Sequence, residues 1–350
     1  MKALVTGANG LIGAHLCRAL LADGHNVRAL VRPKSDLASL DDLVLELVRG
    51  DVLQPATLSE AAEGCDVVFH TAAVFAYAGY SAEQLLGIAV DGTRNVLRAA
   101  RDAGAKRVVL TSSSVVLGSS TLPEIRHEAH QFNERNAPAY VTAKVAQERD
   151  AFEMARTLGI ELIAVLPTIT VGPNDLRLGP SNGMICSYLQ DPWKITWPGG
   201  CNIVAAEDVA KGHVLAALNG DPGSRYILGS ENLEWPIIHR LISQISGVGG
   251  PMLQANHTSA FLAATAQEIF SWATRTKPLT TRAQAAMVGR FYWYDHSAAT
   301  LGLGYSPMPA QAALYRAIEW LAQTAHIPPW VRATMNVRPL AENESAQVAA

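Results

Sequence analysis

Tyr140 and Lys144 are the two side chains in this sequence best suited to moving a proton. On a helix, residues four positions apart lie on one face and reach each other. An ammonium group about 4 Å from a phenol, at an effective dielectric constant near ~20, stabilises the phenolate by roughly 4 kcal/mol. Because about 1.36 kcal/mol corresponds to one pKa unit, this pairing lowers the phenol pKa by up to about three. We therefore predict that Tyr140 acts as a general acid or base near neutral pH.

A run of hydroxyl side chains, Thr111-Ser112-Ser113-Ser114, precedes this pair and ends the predicted strand Arg107–Ser112. In a doubly wound sheet, ligands lie at the carboxyl ends of the strands, so the run is expected to face the ligand site. A serine hydroxyl there would orient a substrate oxygen and stabilise negative charge that develops on it.

The first thirteen residues follow the order strand, glycine-rich turn, helix. Glycines at this spacing also occur in ordinary turns, but this order is what a dinucleotide pyrophosphate requires. The helix would direct its free N–H groups and positive dipole end at the phosphates. We predict a bound nicotinamide cofactor, held at the turn by Gly7, Asn9, Gly10, Leu11, Ile12 and Gly13.

The residues after the second predicted strand favour one form of this cofactor. Folds that select NAD place a carboxylate there to bind the ribose 2′-hydroxyl. This chain has Arg32, with Lys34 close by. A guanidinium binds a 2′-phosphate through paired, charge-assisted hydrogen bonds, so we predict NADP(H) over NAD(H). The alternative is that Arg32 only contacts solvent.

Short apolar segments alternate with helical segments over residues 1 to about 170, the rhythm of a doubly wound α/β fold. The predicted strands are Ala3–Thr6, Asn26–Val31, Leu43–Arg49, Val67–His70, Arg107–Ser112 and Glu161–Leu166. The predicted helices between them are Leu11–Ala22, Ala56–Glu63, Glu83–Ala103 and Tyr140–Leu158. The predicted fold class is therefore α/β, a doubly wound parallel (Rossmann) sheet with a smaller C-terminal substrate lobe.

The alternating rhythm ends near residue 174, where glycines and prolines become frequent. We predict an NADP-binding domain over residues 1–173, to which parts of the later chain return, and a substrate lobe over 174–327. Further helices are predicted over Ile237–Ser246, Ser259–Arg275 and Gln311–Thr324. Residues 328–350 form a polar, alanine-rich tail that we expect to be frayed, with a subunit contact as the alternative.

Composition excludes several classes of protein. The net charge is -3 over 350 residues, so no positive field attracts nucleic acid. No apolar run is long enough to span a membrane, and the first strand leaves no room for a signal peptide. The four cysteines are far apart, which favours reduced, buried thiols and a cytoplasmic protein. His127 and His130 are three apart with no third ligand in evident reach, so we predict no metal site.

Aromatic residues suggest an apolar substrate pocket, although the same spacing is equally typical of a core. Residues expected near the substrate are Phe75, Tyr77, Ser114 and Tyr188, with Trp193 and Trp197 in the same lobe. A nucleotide-sugar site needs cations for its pyrophosphate. Residues 174–222 contain only three, Arg177, Lys194 and Lys211, so a neutral, hydrophobic ketone or aldehyde is favoured.

Taken together, these motifs resemble the extended short-chain dehydrogenase/reductases over roughly residues 1 to 325. Residues 6–13 resemble the family's TGxxGxxG turn, and Tyr140 and Lys144 match its catalytic pair. Residues 31–35 and 226–233 are similar to the dihydroflavonol-4-reductase-like branch, which includes hopanoid-associated epimerase-like proteins.

The resemblance implies roles for further residues. Ser113 best matches the catalytic serine, with Ser114 second. Cofactor contacts are implied for Asp51 and Val52 beside the adenine, for Thr71, Ala72 and Ala73 after the fourth strand, and for Pro167 and Thr168 over the nicotinamide. The family also implies a homodimer through Glu83–Ala103 and Tyr140–Leu158. Ala89 occupies the place of the family's usual asparagine, so any role of that side chain in proton relay is absent or supplied otherwise.

Three functions remain open. The first is an NADP(H)-dependent carbonyl reductase or alcohol dehydrogenase of the EC 1.1.1 type, acting on an aryl or alicyclic ketone or aldehyde. The second is a nucleotide-sugar epimerase or dehydratase, which would retain its cofactor. The third is a non-catalytic NADP-binding sensor, which the presence of the Tyr–Lys pair disfavours.

Overall fold

A computed structural model describes residues 1–73, 80–135, 137–274, 282–285 and 287–339 of the chain. The strands are β1 (Lys2–Thr6), β2 (Asn26–Val31), β3 (Glu46–Arg49), β4 (Val67–His70), β5 (Arg107–Thr111), β6 (Ile125–Arg126), β7 (Glu161–Pro167), β8 (Ile169–Val171), β9 (Ile195–Thr196), β10 (Gly200–Ala205), β11 (Arg225–Leu228), β12 (Glu231–Glu234), β13 (Leu253–Gln254) and β14 (Phe291–Tyr294).

The helices are α1 (Leu11–Ala22), α2 (Pro55–Ala62), α3 (Ala82–Asp102), α4 (Ala139–Leu158), α5 (Pro180–Gln190), α6 (Ala206–Asn219), α7 (Trp235–Ser246), α8 (His257–Thr274), α9 (Arg282–Ala285), α10 (Ser297–Leu303), α11 (Ala310–Leu321) and α12 (Pro329–Arg332). A 3₁₀ turn, Ser114–Leu117, follows β5.

The larger sheet has seven parallel strands in the order β11-β7-β5-β4-β1-β2-β3. Successive side chains along β1 point to opposite faces. Leu4 packs with Leu58 of α2 and Leu97 of α3, whereas Val5 packs with residues of α1 and α6. Burying a leucine side chain of this kind contributes about 1.5–3 kcal/mol. The predicted doubly wound α/β fold is confirmed, with helices on both faces of the sheet.

Local signals define the two helices that carry the candidate site. The side chain of Ser81 accepts the N–H of Gln84, and the Gln84 side chain accepts the N–H of Ser81, a capping box that begins α3. Gly159, with φ of 67°, ends α4 in the left-handed conformation. α3 and α4 pack side by side on one face of the sheet.

The second sheet begins almost where the first one ends. Only Thr168 separates β7 of the large sheet from β8, which pairs with β10 of the smaller sheet. β10 also pairs with β12 and β14, and α5, α7 and α11 cover this lobe. β11 and α6 return to the large sheet from beyond residue 173, and the domain boundary there stays a prediction.

The start of the C-terminal tail is packed, which corrects the prediction that it is frayed from residue 328. Val331 of α12 is buried, the N–H of Asn336 donates to Ser246 O at 2.8 Å, and the N–H of Arg338 donates to Ile245 O at 3.0 Å. Because the α7 carbonyls lack partners within their own helix, the tail completes the C-terminus of α7. Residues 340–350 lie outside the described part of the chain.

Two further properties concern the class of protein. The cysteines Cys17, Cys65, Cys186 and Cys201 are free and buried, as predicted. None of the helices in the described ranges is long and apolar enough to cross a bilayer.

Candidate active site

The candidate site lies where the strand order of the large sheet reverses. β1 is flanked by β2 on one side and by β4 on the other, so a crevice opens at their carboxyl ends. Thr6, His70 and Thr111 end β1, β4 and β5 at this edge. The glycine turn, the residues after β4 and the serine run therefore meet at one place.

The glycine turn is fixed by close backbone packing. Gly7 has φ of +68°, and a side chain there would place its Cβ 2.7 Å from the backbone of Ala72. A Cβ on Gly13 would likewise collide with the carbonyl oxygen of Gly7. The Thr71 hydroxyl donates to Thr6 O at 2.7 Å, which holds the segment after β4 against the turn. Only glycine is compatible with this approach of two backbones.

The N-terminus of α1 fits a pyrophosphate group. Its N-cap is Gly10, which has no side chain with which to accept a hydrogen bond from the first turn of the helix. Helix N–H groups without partners attract anions, as does the positive end of the helix dipole. Asn9 holds the turn in place, because its side chain donates to Asp36 O at 2.8 Å. Leu11 and Ile12, also predicted to contact the cofactor, begin α1.

Cations collect at the carboxyl ends of β2 and β3. Arg32 and Lys34 are exposed directly after β2. Arg49, at the end of β3, donates to Arg32 O at 3.1 Å. Asp51 follows β3, and its carboxylate accepts the N–H of Leu53 at 2.9 Å. This edge therefore presents positive charge beside the glycine turn.

The remaining predicted cofactor contacts are spread around the crevice. Val52 is buried beside α3, and Ala73 is exposed after β4. Pro167 ends β7, and the hydroxyl of Thr168 donates to Asn202 Oδ1 at 2.8 Å. Thr168 thus contacts the smaller sheet through its side chain.

Ser113 and Tyr140 lie close together. Tyr140 lies in the first turn of α4, is 7% exposed and packs against Leu85 of α3. Ser113, half-buried after β5, is near enough to the Tyr140 hydroxyl to lower its pKa. Ser114 is buried and lies instead near Tyr294, whose hydroxyl donates to Gly118 O at 3.0 Å. The structure therefore brings Ser113, but not Ser114, to the predicted catalytic tyrosine.

The pKa of Tyr140 moves in the direction opposite to the sequence-based expectation. Burial raises it to about 12, and the nearby Ser113 side chain offsets only part of this effect. Burial destabilises the charged phenolate by more than the neighbouring groups stabilise it. Tyr140 is consequently a protonated phenol at neutral pH, able to donate a proton.

Lys144 lies one turn further along α4 and is 3% exposed. Its ammonium group donates to Thr111 O at 2.9 Å and to Gln147 Oε1 at 2.8 Å. Burial lowers the pKa of Lys144 to about 8, although the charge of Glu148 acts against this. A lysine with such a pKa can gain or lose a proton near physiological pH.

Glu148 is itself held in an ion pair. One oxygen accepts from Arg225 of β11 at 2.9 Å, and the other accepts from the Ser112 hydroxyl at 2.5 Å. Arg225 also donates to His130 O at 3.3 Å. Each oxygen of this carboxylate beside Lys144 therefore has a partner, and the ion pair joins α4 to the edge strand β11.

Sequence reasoning missed a buried polar chain beside the lysine. Gln147 Nε2 donates to the Thr93 hydroxyl at 2.7 Å, and His70 Nε2 lies 3.0 Å from the same oxygen. His70 Nδ1 lies 2.8 Å from Thr6 Oγ1. The available signal was the polar character of Thr93 and Gln147 on otherwise apolar helix faces, but nothing in the sequence indicated that they meet.

Two of the predicted substrate residues, Phe75 and Tyr77, lie outside the described residues. Tyr188 is buried in the core of the C-terminal lobe, where its hydroxyl bonds Ser243 at 3.0 Å and its ring stacks on His239. A contact between Tyr188 and substrate therefore stays a prediction that this packing does not favour.

The paired histidines of the sequence lie at the surface. The rings of His127 and His130 contact each other with centroids 4.2 Å apart. Within the described part of the chain, no cluster of three or more His, Cys, Asp or Glu residues has the proximity that a metal ion needs.

Fold and site together define a dinucleotide-binding α/β protein whose crevice contains a Ser–Tyr pair and a buried lysine. Residues 3–229 match the model of the NAD dependent epimerase/dehydratase family, and the chain belongs to this family. As the sequence predicted, it is an extended short-chain dehydrogenase/reductase, with relatives of the dihydroflavonol-4-reductase type.

Similar proteins cover almost the whole chain. A candidate dihydroflavonol 4-reductase of Synechocystis sp. is 32% identical over 335 residues, 92% of this chain and 95% of that protein. Sterol demethylase protein B of Methylococcus capsulatus is 30% identical over 340 residues, 93% of this chain and all of that protein (100%). The crystal structure of gox2253 is 33% identical, with a TM-score of 0.82 over 93% of this chain and 99% of that one. These relatives support an oxidoreductase, and the family supports a nicotinamide cofactor.

Proposed function

We propose that this protein is an NADP(H)-dependent carbonyl reductase or alcohol dehydrogenase that acts on a hydrophobic aryl or alicyclic ketone or aldehyde. The observation that carries the proposal is that the Ser113 side chain lies close enough to the buried Tyr140 hydroxyl to lower its pKa, at the carboxyl end of β5 beside the glycine turn. This pair offers two hydroxyl groups to one substrate oxygen.

The proposed reduction uses both hydroxyls. Ser113 holds the carbonyl oxygen and stabilises the negative charge that develops there. Tyr140 donates its phenolic proton to that oxygen, and its raised pKa, about 12, keeps the proton available at neutral pH. When bound, the nicotinamide supplies the hydride for the carbonyl carbon, or accepts it in the oxidative direction. In this proposal Lys144, one turn further along α4 with a pKa of about 8, supplies the proton that restores the phenol and regains a proton from solvent.

The cations after β2 support the proposed cofactor form, NADP(H). Arg32 and Lys34 are exposed and unpaired with a carboxylate among the described ion pairs, so they remain able to bind a 2′-phosphate. We expect Arg32→Glu to weaken NADPH binding by at least about tenfold and to leave NADH binding within about twofold. Arg101→Glu, on an exposed arginine at the end of α3, serves as the control of equal charge change. Tighter binding of NADH than NADPH by the unchanged protein would overturn the NADP(H) preference.

The substrate class is supported by the charges of the C-terminal lobe. Lys194 donates to Tyr188 O at 3.1 Å and to Leu189 O at 2.8 Å, so it completes the end of α5. Of the other two cations between residues 174 and 222, Lys211 pairs with Asp208 at 3.7 Å, which leaves Arg177. A substrate without phosphates fits this supply better, and the names of the two relatives refer to a flavonoid and to a sterol, an aryl and an alicyclic compound.

A nucleotide-sugar epimerase or dehydratase is the second candidate, because the matching family model takes its name from these activities. Such an enzyme would convert a UDP- or GDP-sugar without net consumption of cofactor.

The deciding experiment measures NADPH absorbance with a panel of aryl ketones, cyclic ketones, aldehydes and diketones. Steady oxidation of NADPH is expected with at least one member of the panel. No oxidation with any member, together with conversion of a UDP- or GDP-sugar, would replace the proposal by the second candidate. Binding of NADPH without turnover of any carbonyl compound or nucleotide sugar would favour the non-catalytic sensor.

We further propose a cytoplasmic homodimer formed through α3 and α4. Both helices carry an exposed face, on which Arg94 of α3 pairs with Asp150 of α4 at 2.5 Å. Light scattering of the purified protein should give twice the mass of 37.4 kDa. A monomeric mass would overturn the dimer without affecting the reductase proposal.

A further inference from the structure

The buried chain beside Lys144 has one self-consistent arrangement of hydrogen atoms. The Thr93 hydroxyl lies 2.6 Å from Ala89 O, a carbonyl that only accepts, so Thr93 donates there. Having used its single proton, the Thr93 oxygen accepts from Gln147 Nε2 at 2.7 Å and from His70 Nε2 at 3.0 Å. Every hydrogen-bonding position of the Thr93 hydroxyl is then occupied.

This arrangement fixes the orientation of the Gln147 amide. Its NH₂ group faces Thr93, so its oxygen faces the ammonium of Lys144 at 2.8 Å. The flipped amide would place NH₂ against the ammonium and an oxygen against a hydroxyl with no proton left to give. Thr93 therefore orients the Gln147 amide so that its oxygen, a hydrogen-bond acceptor, faces the Lys144 ammonium.

The same reasoning extends to the glycine turn. Because His70 donates from Nε2, its Nδ1 accepts from the Thr6 hydroxyl at 2.8 Å. Burial lowers the pKa of His70 to about 3, with the positive charge of Lys144 adding to the effect, so the imidazole is neutral. This series of hydrogen bonds thus links Lys144 to Thr6, the last residue of β1, directly before Gly7.

Ala89 occupies the position of the family's usual asparagine. One turn later on α3, Thr93 provides a hydroxyl that contacts Gln147. We propose that Gln147, held by Thr93, is a positioning residue that orients the Lys144 ammonium in the site and sustains its charged form. The proposal rests on the proposed reductase function, in which Lys144 returns a proton to Tyr140.

The charged and titratable groups around Lys144 come from several elements. Glu148 lies on the same helix and is paired with Arg225 of β11. His70 approaches from β4 in its neutral form, and Tyr140 precedes on α4. With Glu148 occupied by Arg225 and Ser112, Gln147 is the side-chain acceptor in hydrogen-bond contact with the ammonium.

The test follows the Lys144 ammonium directly. Protein labelled with ¹³C at lysine Cε is titrated by NMR without cofactor, and a Lys144→Arg variant assigns the signal. We expect Gln147→Leu to lower the Lys144 pKa by about one, because an acceptor for the charged form is lost. Gln147→Glu should raise it, because a carboxylate then faces the ammonium.

The kinetic counterpart is the pH dependence of kcat. The apparent pKa of the pH profile that is assigned to Lys144 should shift down in Gln147→Leu and up in Gln147→Glu. In Gln147→Leu, kcat should fall at least about tenfold, while the KM for NADPH stays within about threefold. Gln190→Leu is the matched control. It also removes a helix glutamine with one amide hydrogen bond, to Cys186 O at 3.1 Å, and should leave both readouts unchanged.

Thr93 provides an independent variant pair in case Gln147→Leu does not fold. Thr93→Ser keeps the hydroxyl and should retain the Lys144 pKa, whereas Thr93→Val should change it in the same direction as Gln147→Leu. An unchanged Lys144 titration in both Gln147→Leu and Thr93→Val overturns the proposal. If the titrations shift as expected but no carbonyl substrate oxidises NADPH, the positioning role stands and the reductase function fails.

Discussion

Three consecutive serines after β5 have three different neighbours. Ser112 donates to Glu148, Ser113 lies near Tyr140, and Ser114 lies near Tyr294. The run leaves the strand and enters a 3₁₀ turn, so neighbouring side chains point in unrelated directions. A single position in this run can therefore serve the tyrosine, and its neighbours anchor the backbone that carries it.

This division predicts different results for two alanine variants. Ser113→Ala should lower kcat by about 100-fold, because the substrate oxygen loses one of its two hydrogen-bond donors. Ser114→Ala should keep kcat within about twofold and cost about 1 kcal/mol of unfolding free energy, because a buried hydroxyl beside Tyr294 is lost. Steady-state kinetics and urea unfolding of both variants check this. The reverse pattern would assign the catalytic role to Ser114.

Tyr140→Phe removes the proposed proton donor without altering the shape of the ring. We expect kcat to fall by about 100-fold or more, with NADPH affinity unchanged within about twofold. Tyr188→Phe is the matched control, since it also removes the hydroxyl of a buried, hydrogen-bonded tyrosine. A normal kcat in Tyr140→Phe would mean that another group protonates the substrate, and a reduced kcat in Tyr188→Phe would revive its predicted contact with substrate.

At the scale of elements, the periodicity of apolar residues was sufficient to predict the main strands and helices of the first half of the chain. β2, β4 and α1 have the predicted bounds, because buried parallel strands are continuous apolar runs and glycines end the helices. Predictions were weakest beyond residue 174, where α5 and α6 were missed. Both contain glycine, and α6 contains buried polar residues such as Asp208 and His213, so neither shows an amphipathic stripe.

The candidate site was predictable only where its residues share an element or a known motif. Tyr140 and Lys144 are neighbours on α4 by helical spacing. The contact of Gln147 with Thr93 joins α4 to α3, and no local pattern encodes such a pairing. The raised pKa of Tyr140 was also beyond reach, since burial is a property of the assembled protein.

The glycine turn allows a prediction with an internal control. Gly7 and Gly24 have nearly equal φ values, +68° and +74°, but only at Gly7 would a Cβ meet another backbone. Gly24→Ala should cost about 1–2 kcal/mol of unfolding free energy and leave NADPH affinity unchanged. Gly7→Ala should cost more and weaken NADPH binding by at least about tenfold, because the turn must move away from Ala72. Equal effects of the two variants would contradict this account of the turn.

Across the described residues, four buried histidines link stability to pH. Burial lowers the pKa of His70 and of His239 to about 3 and that of His213 to about 4, and it also lowers the pKa of His15. Unfolding returns each to about 6.5, so below that pH the unfolded chain binds more protons than the folded protein. Stability is therefore complete above about pH 6.5 and is lost as the pH falls towards the folded pKa values.

We expect the unfolding free energy to decrease between pH 6.5 and 5, with each of these histidines contributing about 1.4 kcal/mol per pH unit. His239→Phe should make this slope shallower, since it keeps the aromatic stack on Tyr188 but removes one titrating ring. Urea unfolding at a series of pH values measures the slope. A slope that is unchanged in His239→Phe would show that this histidine does not remain neutral in the folded protein.

The junction at Thr168 governs how the two sheets can move relative to each other. A single residue joins β7 to β8, and its hydroxyl is bound to Asn202, which also receives the N–H of Ser230 at 2.9 Å. Such a short, hydrogen-bonded crossover leaves few dihedral angles that could change. We therefore expect the large sheet and the smaller sheet to keep their relative position when a ligand binds.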